Sequence, residues 1–337
     1  MKLLTPLLLA GALVAASCGG SGGGASASDD ASADSDRLVL ATTVAPITSL
    51  ASQIVGDRAE VVGIVPEGTN SHTYEPKPSV AELLSRADLI FVNGLKLEEP
   101  TVELAEANMR DDAEIIELGT IALPEADYIY DFSFPESEGK PNPHLWTDPS
   151  YALQYTEIIR DRVTAADPEN ADYYAANYEA FAALIDEFDA AMRESFATIP
   201  EGSKKLLTYH DAYAYFAKNY GWEVIGAIQV SDFEDPTAKE LADLIDQVRA
   251  EGVQAIFGSE VFPSPVLEQI GQEAGVTYVD VLRDDDLPGE PGDAEHSWLG
   301  LMVFDYLTMT DALGGDSSAI AALDVRNVAP DEATYPQ

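Results

Sequence analysis

The sequence has very little cysteine, histidine and positive charge. Its 337 residues include one cysteine, Cys18, and four histidines. A single cysteine cannot form a disulfide within the chain, so the fold must be held by its apolar cores. The 18 lysines and arginines face 60 aspartates and glutamates, which gives a formal net charge of −42. Such a surface repels nucleic acid and anionic lipid, which argues against both as partners.

The N-terminal segment has the features of a secretory signal. Residues 1–17 contain one lysine and an apolar stretch that is too short for an ordinary membrane span. Cys18 follows the triplet AAS, which resembles a bacterial lipobox, and we predict that it is lipidated; the alternative is a plain signal peptide in which Cys18 is incidental. Residues 18–36 then form a Gly/Ser/Asp tether. We expect a protein outside the cytoplasm that a lipid anchors to the bacterial membrane.

Strand-like and helix-like segments alternate through the rest of the chain, which predicts parallel sheets flanked by helices. Residues 37–166 contain one such alternation and residues 200–337 contain a second. Between them, residues 167–199 predict one long helix that starts at an Asp-Pro pair, because aspartate caps helices and proline suits a first helical position. The predicted fold is α/β, with an N-terminal and a C-terminal lobe. Each lobe is a doubly wound parallel sheet, and the long helix links them.

Three of the four histidines and one aspartate lie where such a fold binds ligands. His72 and His210 follow predicted strands, His144 lies in a proline-rich loop, and Asp280 lies near the end of the predicted strand 276–282. Ligands of open α/β sheets bind beyond the carboxyl ends of the strands, so these groups, two from each lobe, are able to meet in a cleft between the lobes. Three imidazoles and a carboxylate suit zinc. Spacing alone leaves open whether they are metal ligands or ordinary loop and capping residues, because no local zinc motif is present.

Longer segments around these residues resemble a known family. The segments SHTYEPKPSVAELLSRADLIFVNGLKLE, NPHLWTDP, LLTYHDAYAYFAKNYG, PTAKELADLIDQVRAEGVQAIFGSEVF and GVTYVDVL occur in this order. They are similar to segments of the zinc/manganese class of ABC-transporter solute-binding lipoproteins, over residues 38–313. The resemblance implies two α/β lobes with a metal site in the inter-lobe cleft. It also implies metal ligation by His72, His144, His210 and Asp280.

The resemblance also bears on which metal is bound. Manganese-selective members tend to have a carboxylate at the third ligand position, where this chain has His210, so we expect Zn²⁺ and consider Mn²⁺ the less favoured alternative. Many zinc-binding members carry a histidine-rich loop before the second ligand segment. Residues 124–142 occupy that place and contain no histidine. The absence of histidine argues against metal capture by this loop. It does not argue against the central metal site.

Two further residues are candidates for supporting roles. Glu260 follows the predicted strand 253–259 and is a candidate hydrogen-bond acceptor for a ligand histidine. We expect His296 in the first turn of the last predicted helix, near the cleft rim; the alternative is a transient metal ligand or a substitute for Asp280. Residues 231–236 are a candidate mobile loop near the cleft.

These features predict a monomeric receptor without enzymatic activity that captures Zn²⁺ and delivers it to an ABC-transporter permease with its ATPase. Four protein ligands leave no open position for water, in contrast to a catalytic zinc. One alternative is a secreted zinc hydrolase with Glu260 as general base, although the chain lacks an HExxH motif. The other is a surface adhesin lipoprotein whose metal only stabilises the fold.

Overall fold

Two parallel four-stranded sheets carry the fold in the computed structural model, which describes residues 37–228, 237–259 and 265–337. The first sheet contains β1 (Leu38–Thr42), β2 (Ala59–Gly63), β3 (Leu89–Val92) and β4 (Glu114–Glu117), in the order β2-β1-β3-β4. The second contains β5 (Lys205–Thr208), β6 (Glu223–Ala227), β7 (Ala255–Ser259) and β8 (Thr277–Leu282), in the order β6-β5-β7-β8. The predicted α/β fold with two parallel-sheet lobes is confirmed.

Helices separate the strands, as parallel pairing requires. They are α1 (Ala45–Val55), α2 (Val80–Arg86), α3 (Glu99–Asn108), α4 (Leu118–Ala122), α5 (Pro149–Ala166), α6 (Ala171–Phe196), α7 (Ala214–Tyr220), α8 (Ala238–Glu251), α9 (Pro265–Ala274), α10 (Trp298–Ala312) and α11 (Ser318–Ala321). Ordinary capping chemistry sets where several begin: Asp148 accepts a hydrogen bond from the Ser150 N–H ahead of α5, and Ser297 accepts one from Gly300 at α10. Among the described helices, none has both the length and the apolar character needed to cross a bilayer.

The predicted linking helix is α6, which is shorter than expected. It begins at Ala171 because residues 168–170 form a 3₁₀ turn after the Asp-Pro pair. It packs against α1 and α5 beside the first sheet. Near its other end, the ring centroid of Phe196 lies 5.0 Å from that of Trp222, just before β6 of the second sheet. The helix therefore contributes to the packing of both lobes.

One apolar core runs through both lobes. It combines side chains of α1, α5, α6 and α10 with one face of each sheet, while two smaller cores cover the opposite faces. Strands that are buried on both sides read as continuous apolar runs, and the sequences LIFV of β3 and AIFGS of β7 show this pattern. Because each sheet packs one face against this shared core, the core fixes the orientation of the two sheets relative to each other.

After α11 the chain returns to the first sheet. We name residues 324–337 the C-terminal strap. Its Thr334 N–H donates to the Val61 carbonyl at 2.9 Å, and the Gly63 N–H donates to the Thr334 carbonyl at 2.9 Å, so the strap forms a short parallel bridge with the outer edge of β2. It also contacts α1, where Ser52 Oγ donates to Asp331 at 2.7 Å. An edge strand leaves backbone groups unpaired, and the strap satisfies two of them.

Candidate metal centre

Three imidazoles converge at the carboxyl ends of the two sheets. The Nε2 atoms of His72 and His144 lie 3.1 Å apart, and those of His144 and His210 lie 3.3 Å apart. The Asp284 carboxylate lies 2.8 Å from His210 Nε2. His144, His210 and Asp284 are buried, whereas His72 is half-buried. Among the described residues, the three histidines are a group whose donor atoms are close enough to hold one metal ion.

The structure does not bring Asp280 to this cluster. Asp280 lies inside β8 with an exposed side chain, while Asp284 lies two residues beyond the end of that strand. The expectation that Asp280 joins the histidines is therefore corrected to Asp284. Asp284 is the first of three consecutive aspartates, all of them buried.

Short turns hold each imidazole in place. His72 lies in a 3₁₀ turn, residues 71–73, which begins where the Asn70 side chain accepts a hydrogen bond from the His72 N–H. His144 directly precedes another 3₁₀ turn, residues 145–147. His210 follows β5, and its carbonyl accepts a hydrogen bond from Thr208 Oγ1 at 2.8 Å. Each of these short segments holds its imidazole ring in the cluster.

Asn142 determines which nitrogen of His144 is free to bind a metal. The Asn142 amide nitrogen donates to the Asp131 carboxylate at 2.8 Å and to the Asp211 carbonyl at 2.7 Å. Both partners are acceptors, so the amide oxygen faces His144, where it lies 2.9 Å from Nδ1 and 3.0 Å from the backbone nitrogen. The His144 proton therefore resides on Nδ1, and Nε2 presents a lone pair to the cluster.

The electrostatics favour neutral imidazoles at His72 and His144. Burial, together with the neighbouring histidines, holds the pKa of His72 and of His144 well below the usual value. Burial alone would raise the pKa of Asp284, but the charge and hydrogen bond of His210 hold it below its usual value. A metal needs deprotonated ligands, and these groups are already in that form near neutral pH.

Two tryptophans support the ligand segments. Trp146 Nε1 donates to the Asp284 carbonyl at 2.7 Å, and Trp298 Nε1 donates to the Trp146 carbonyl at 2.8 Å. Phe134 covers the cluster from the other side, with its ring centroid 5.4 Å from that of His72. The segment that carries His144 is thus tied directly to the segment that carries Asp284.

Of the other predicted site residues, His296 is described, and it does not join the cluster. His296 is buried and lies just before the Ser297 cap of α10, against Tyr335 of the strap, so it is neither in the first helical turn nor at an exposed rim. Its Nε2 lies 3.6 Å from Glu67. Cys18, Glu260 and residues 231–236 lie outside the described residues.

Two of the nitrogen–nitrogen separations are short enough for ligands that share one ion. Zinc binds imidazole nitrogen at about 2.0–2.1 Å, so two nitrogens of a tetrahedral zinc site lie roughly 3.3 Å apart. The two Nε2 separations, 3.1 and 3.3 Å, are close to that edge length. The Asp284 carboxylate lies beside His210, next to the group of three histidines, and places a negative charge there.

Comparison with known proteins decides the family. A family model described as the periplasmic component A of the zinc-uptake complex matches residues 40–312. The chain belongs to this family. Its members are solute-binding proteins and not enzymes. The chain is accordingly an extracytoplasmic metal-binding component of an ABC transporter.

Individual relatives differ in the metal that their names give. The manganese-binding lipoprotein MntA of Halalkalibacterium halodurans is 29% identical over 304 residues, which cover 90% of this chain and 95% of MntA. The iron-binding protein YfeA of Yersinia pestis is 31% identical over 253 residues, which cover 75% of this chain and 79% of YfeA. The periplasmic zinc-binding protein TroA of Treponema pallidum has the same fold, with a TM-score of 0.74 and 24% identity over 82% of this chain and 99% of TroA. Membership in the family thus establishes metal binding, and the choice of metal must be argued from the site.

Proposed function

We propose that the protein captures Zn²⁺ with His72, His144, His210 and Asp284. The observation that carries this proposal is the convergence of three imidazoles, with Nε2 separations of 3.1 Å for His72–His144 and 3.3 Å for His144–His210, beside one carboxylate. Three imidazoles and a single carboxylate also form a softer donor set than the oxygen-rich sites that manganese prefers. Mn²⁺ is the weaker candidate.

A titration with paired variants tests this site. We expect Asp284→Ala and His210→Ala to weaken zinc binding at least about a hundredfold, because each removes a metal ligand. Asp280→Ala is the matched control: it removes the same charged group four residues away and should bind zinc like the wild type. Equal affinities of the Asp280 and Asp284 variants would contradict the assignment.

Affinity alone does not identify the natural metal, because most nitrogen and oxygen sites bind zinc more tightly than manganese. Elemental analysis of protein purified without added metal is the direct measurement, and zinc should exceed manganese and iron. Cobalt substitution reports the geometry, since tetrahedral Co²⁺ absorbs visible light far more strongly than octahedral Co²⁺. A weak octahedral spectrum, or manganese as the bound metal, would overturn the zinc assignment.

The transport cycle requires anchorage and a partner. We propose that Cys18 carries the lipid, that residues 18–36 tether the body to the membrane, and that a permease with its ATPase receives the metal. Relatives named as metal ABC transporter lipoproteins support this arrangement. Cys18→Ser is expected to release the protein from the membrane fraction without changing zinc affinity. A variant that stays with the membrane would count against the lipid anchor.

A further inference from the structure

A junction of four segments lies beside the metal centre, and Glu67 is at its middle. Glu67 belongs to the segment that follows β2 and leads to His72. Its Oε1 accepts a hydrogen bond from the Leu287 N–H at 2.9 Å, and Leu287 lies three residues after Asp284. Its Oε2 accepts one from Gln337 Nε2 of the strap at 2.7 Å. One carboxylate therefore joins the segments that carry two of the candidate ligands, and the strap as well.

Neighbouring contacts run between the same two segments. The Gly68 N–H donates to both carboxylate oxygens of Asp286, at 3.0 and 2.9 Å. Leu287 is 2% exposed, so its N–H is shielded from water and depends on Glu67 for a partner. Leaving such a donor unpaired is costly. These hydrogen bonds exist only while the two segments are in contact.

The strap holds Glu67 from the side of the first sheet. The Glu67 N–H donates to the Pro336 carbonyl at 3.1 Å, two residues beyond the bridge between Thr334 and β2. His296 closes the remaining side: its ring lies 4.6 Å from that of Tyr335, and its Nε2 approaches Glu67 Oε2 at 3.6 Å. Neither ring nitrogen has a hydrogen-bond partner among the described residues. The family model ends at residue 312, so the strap lies beyond the residues that it matches.

We infer that Glu67 is a positioning residue that keeps the His72 and Asp284 segments together and so slows metal release. This inference rests on the proposed function, because it assumes that both segments ligate the metal. The strap anchors Glu67 to the first sheet, and the Leu287 N–H is its hydrogen-bond partner in the segment that carries Asp284. The His72 and Asp284 segments cannot move apart unless the bond between Glu67 and Leu287 breaks. Glu67 does not touch the metal, so its loss changes the rate of release and not the ligand set.

The test is the rate at which zinc leaves the full chain after mixing with excess chelator. Glu67→Ala should release zinc about tenfold faster than the wild type, because the buried Leu287 N–H loses its partner. Gln337→Ala should release it about threefold faster, because the carboxylate loses one of its two hydrogen bonds. The matched controls are Glu75→Ala, an exposed glutamate of the His72 segment, and Glu332→Ala, an exposed glutamate of the strap. Both controls should stay within twofold of the wild type.

Two further readouts separate positioning from a general loss of structure. The visible spectrum of the cobalt-loaded Glu67→Ala protein should match that of the wild type, because the ligands are unchanged. Glu67→Gln keeps an oxygen that can accept from Leu287, and it should restore most of the slow release. Release from Glu67→Ala at the rate of Glu75→Ala would overturn the inference. If Glu67→Ala does not fold, release from Gln337→Ala at the rate of Glu332→Ala overturns it instead. A wild type that binds no metal would overturn the proposed function, and this inference with it.

Discussion

The ring of His144 faces the metal position through Nε2 because the Asn142 oxygen holds the proton of the ring on Nδ1. Asn142 is itself fixed by the Asp131 carboxylate and the Asp211 carbonyl. Burial raises the pKa of Asp131 and of Asp211, and their proximity adds to the effect for Asp211. The orientation of one imidazole thus depends on residues that never contact the metal.

Asn142→Ala is expected to weaken zinc binding about 10- to 100-fold, which is the usual effect of removing the partner of a ligating histidine. The ring of His144 would lose its fixed tautomer and orientation. Competition with a chromophoric chelator measures the affinity. Asn108→Ala is the control, because Asn108 is exposed on α3 and bonds only within its own helix. Equal affinities of the two variants would show that the tautomer is held by other contacts.

At this scale the sequence indicated three of the four proposed ligands. Histidines are rare in the chain, so their positions in loops and after strands carried information. Aspartates are abundant, and the rule that ligands bind beyond the carboxyl ends of strands does not distinguish Asp280 from the three consecutive aspartates after β8. Only the path of the chain beyond Leu282, which brings Asp284 to 2.8 Å from His210, separates them. Asn142 lies in the NPH motif, but its hydrogen bonds were not predicted from the sequence.

At the scale of elements, Glu98 organises the turn between β3 and α3. Its buried carboxylate accepts hydrogen bonds from Thr43 Oγ1 and from the N–H groups of Asn93 and Gly94. The same Asn93 donates to the carbonyl of Pro143, next to His144. This turn therefore supports the loop that carries a candidate ligand. Burial raises the pKa of Glu98 to about 7.

The raised pKa of Glu98 predicts how stability changes with pH. The folded state keeps the proton up to about pH 7, whereas an unfolded glutamate loses it near 4.5. The free energy of unfolding should therefore fall as pH rises from about 4.5 to 7, by up to about 3 kcal/mol from this group. Glu98→Gln resembles the protonated form and should remove that loss. The free energies of urea unfolding at pH 5 and pH 8 measure this loss. The control is Glu99→Gln, a change at the exposed neighbouring residue. Parallel pH profiles of wild type and Glu98→Gln would refute the prediction.

Docking of the strap on β2 depends on the lack of a side chain at Gly63. A Cβ there would lie 3.0 Å from Pro336 Cδ and 3.3 Å from the Thr334 carbonyl oxygen. Gly63→Ala should lower the free energy of unfolding by about 1–3 kcal/mol, as overpacking commonly does. Gly226→Ala is the matched control in β6, where the nearest contact is an ordinary 3.7 Å, and it should be neutral or slightly stabilising. Equal unfolding free energies of the two variants would mean that the strap moves aside freely.

At the scale of the whole molecule, the net charge of −42 is the main source of electrostatic repulsion. Exposed ion pairs, such as the one between Arg86 and Glu60, neutralise little of that charge. Salt screens the repulsion between like charges. The screening length falls from about 10 Å at 0.1 M salt to about 3 Å at 1 M. The free energy of unfolding should therefore rise as sodium chloride is increased from 0.1 to 1 M. Sucrose at matched osmolality controls for the effect of solute exclusion. A free energy of unfolding that does not change with salt would show that charge repulsion does not limit stability.

The architecture was predictable from the sequence because buried parallel strands and helices alternate so regularly. The two alternations of strands and helices and the linking helix between them were confirmed. The division into lobes at residues 166/167 and 199/200 stays a prediction, since α6 and α10 share one core with both sheets. The strap was not predicted: residues 324–337 are polar and lack a periodic apolar pattern, and their partners, such as the edge of β2 and α1, lie far away in the sequence.

The contact between His144 and Trp146 gives the protein a built-in optical probe. Trp146 is one of three tryptophans, it is fully buried, and its ring centroid lies 5.1 Å from that of His144. An imidazole this close influences the emission of an indole, and its influence changes when the imidazole lone pair is occupied by a cation. Intrinsic fluorescence should therefore follow loading and unloading in real time without any attached dye. Replacing Trp222, which packs against Phe196 and Phe216, leaves a signal from Trp146 and Trp298, and a change on loading that persists in this variant comes from these two residues.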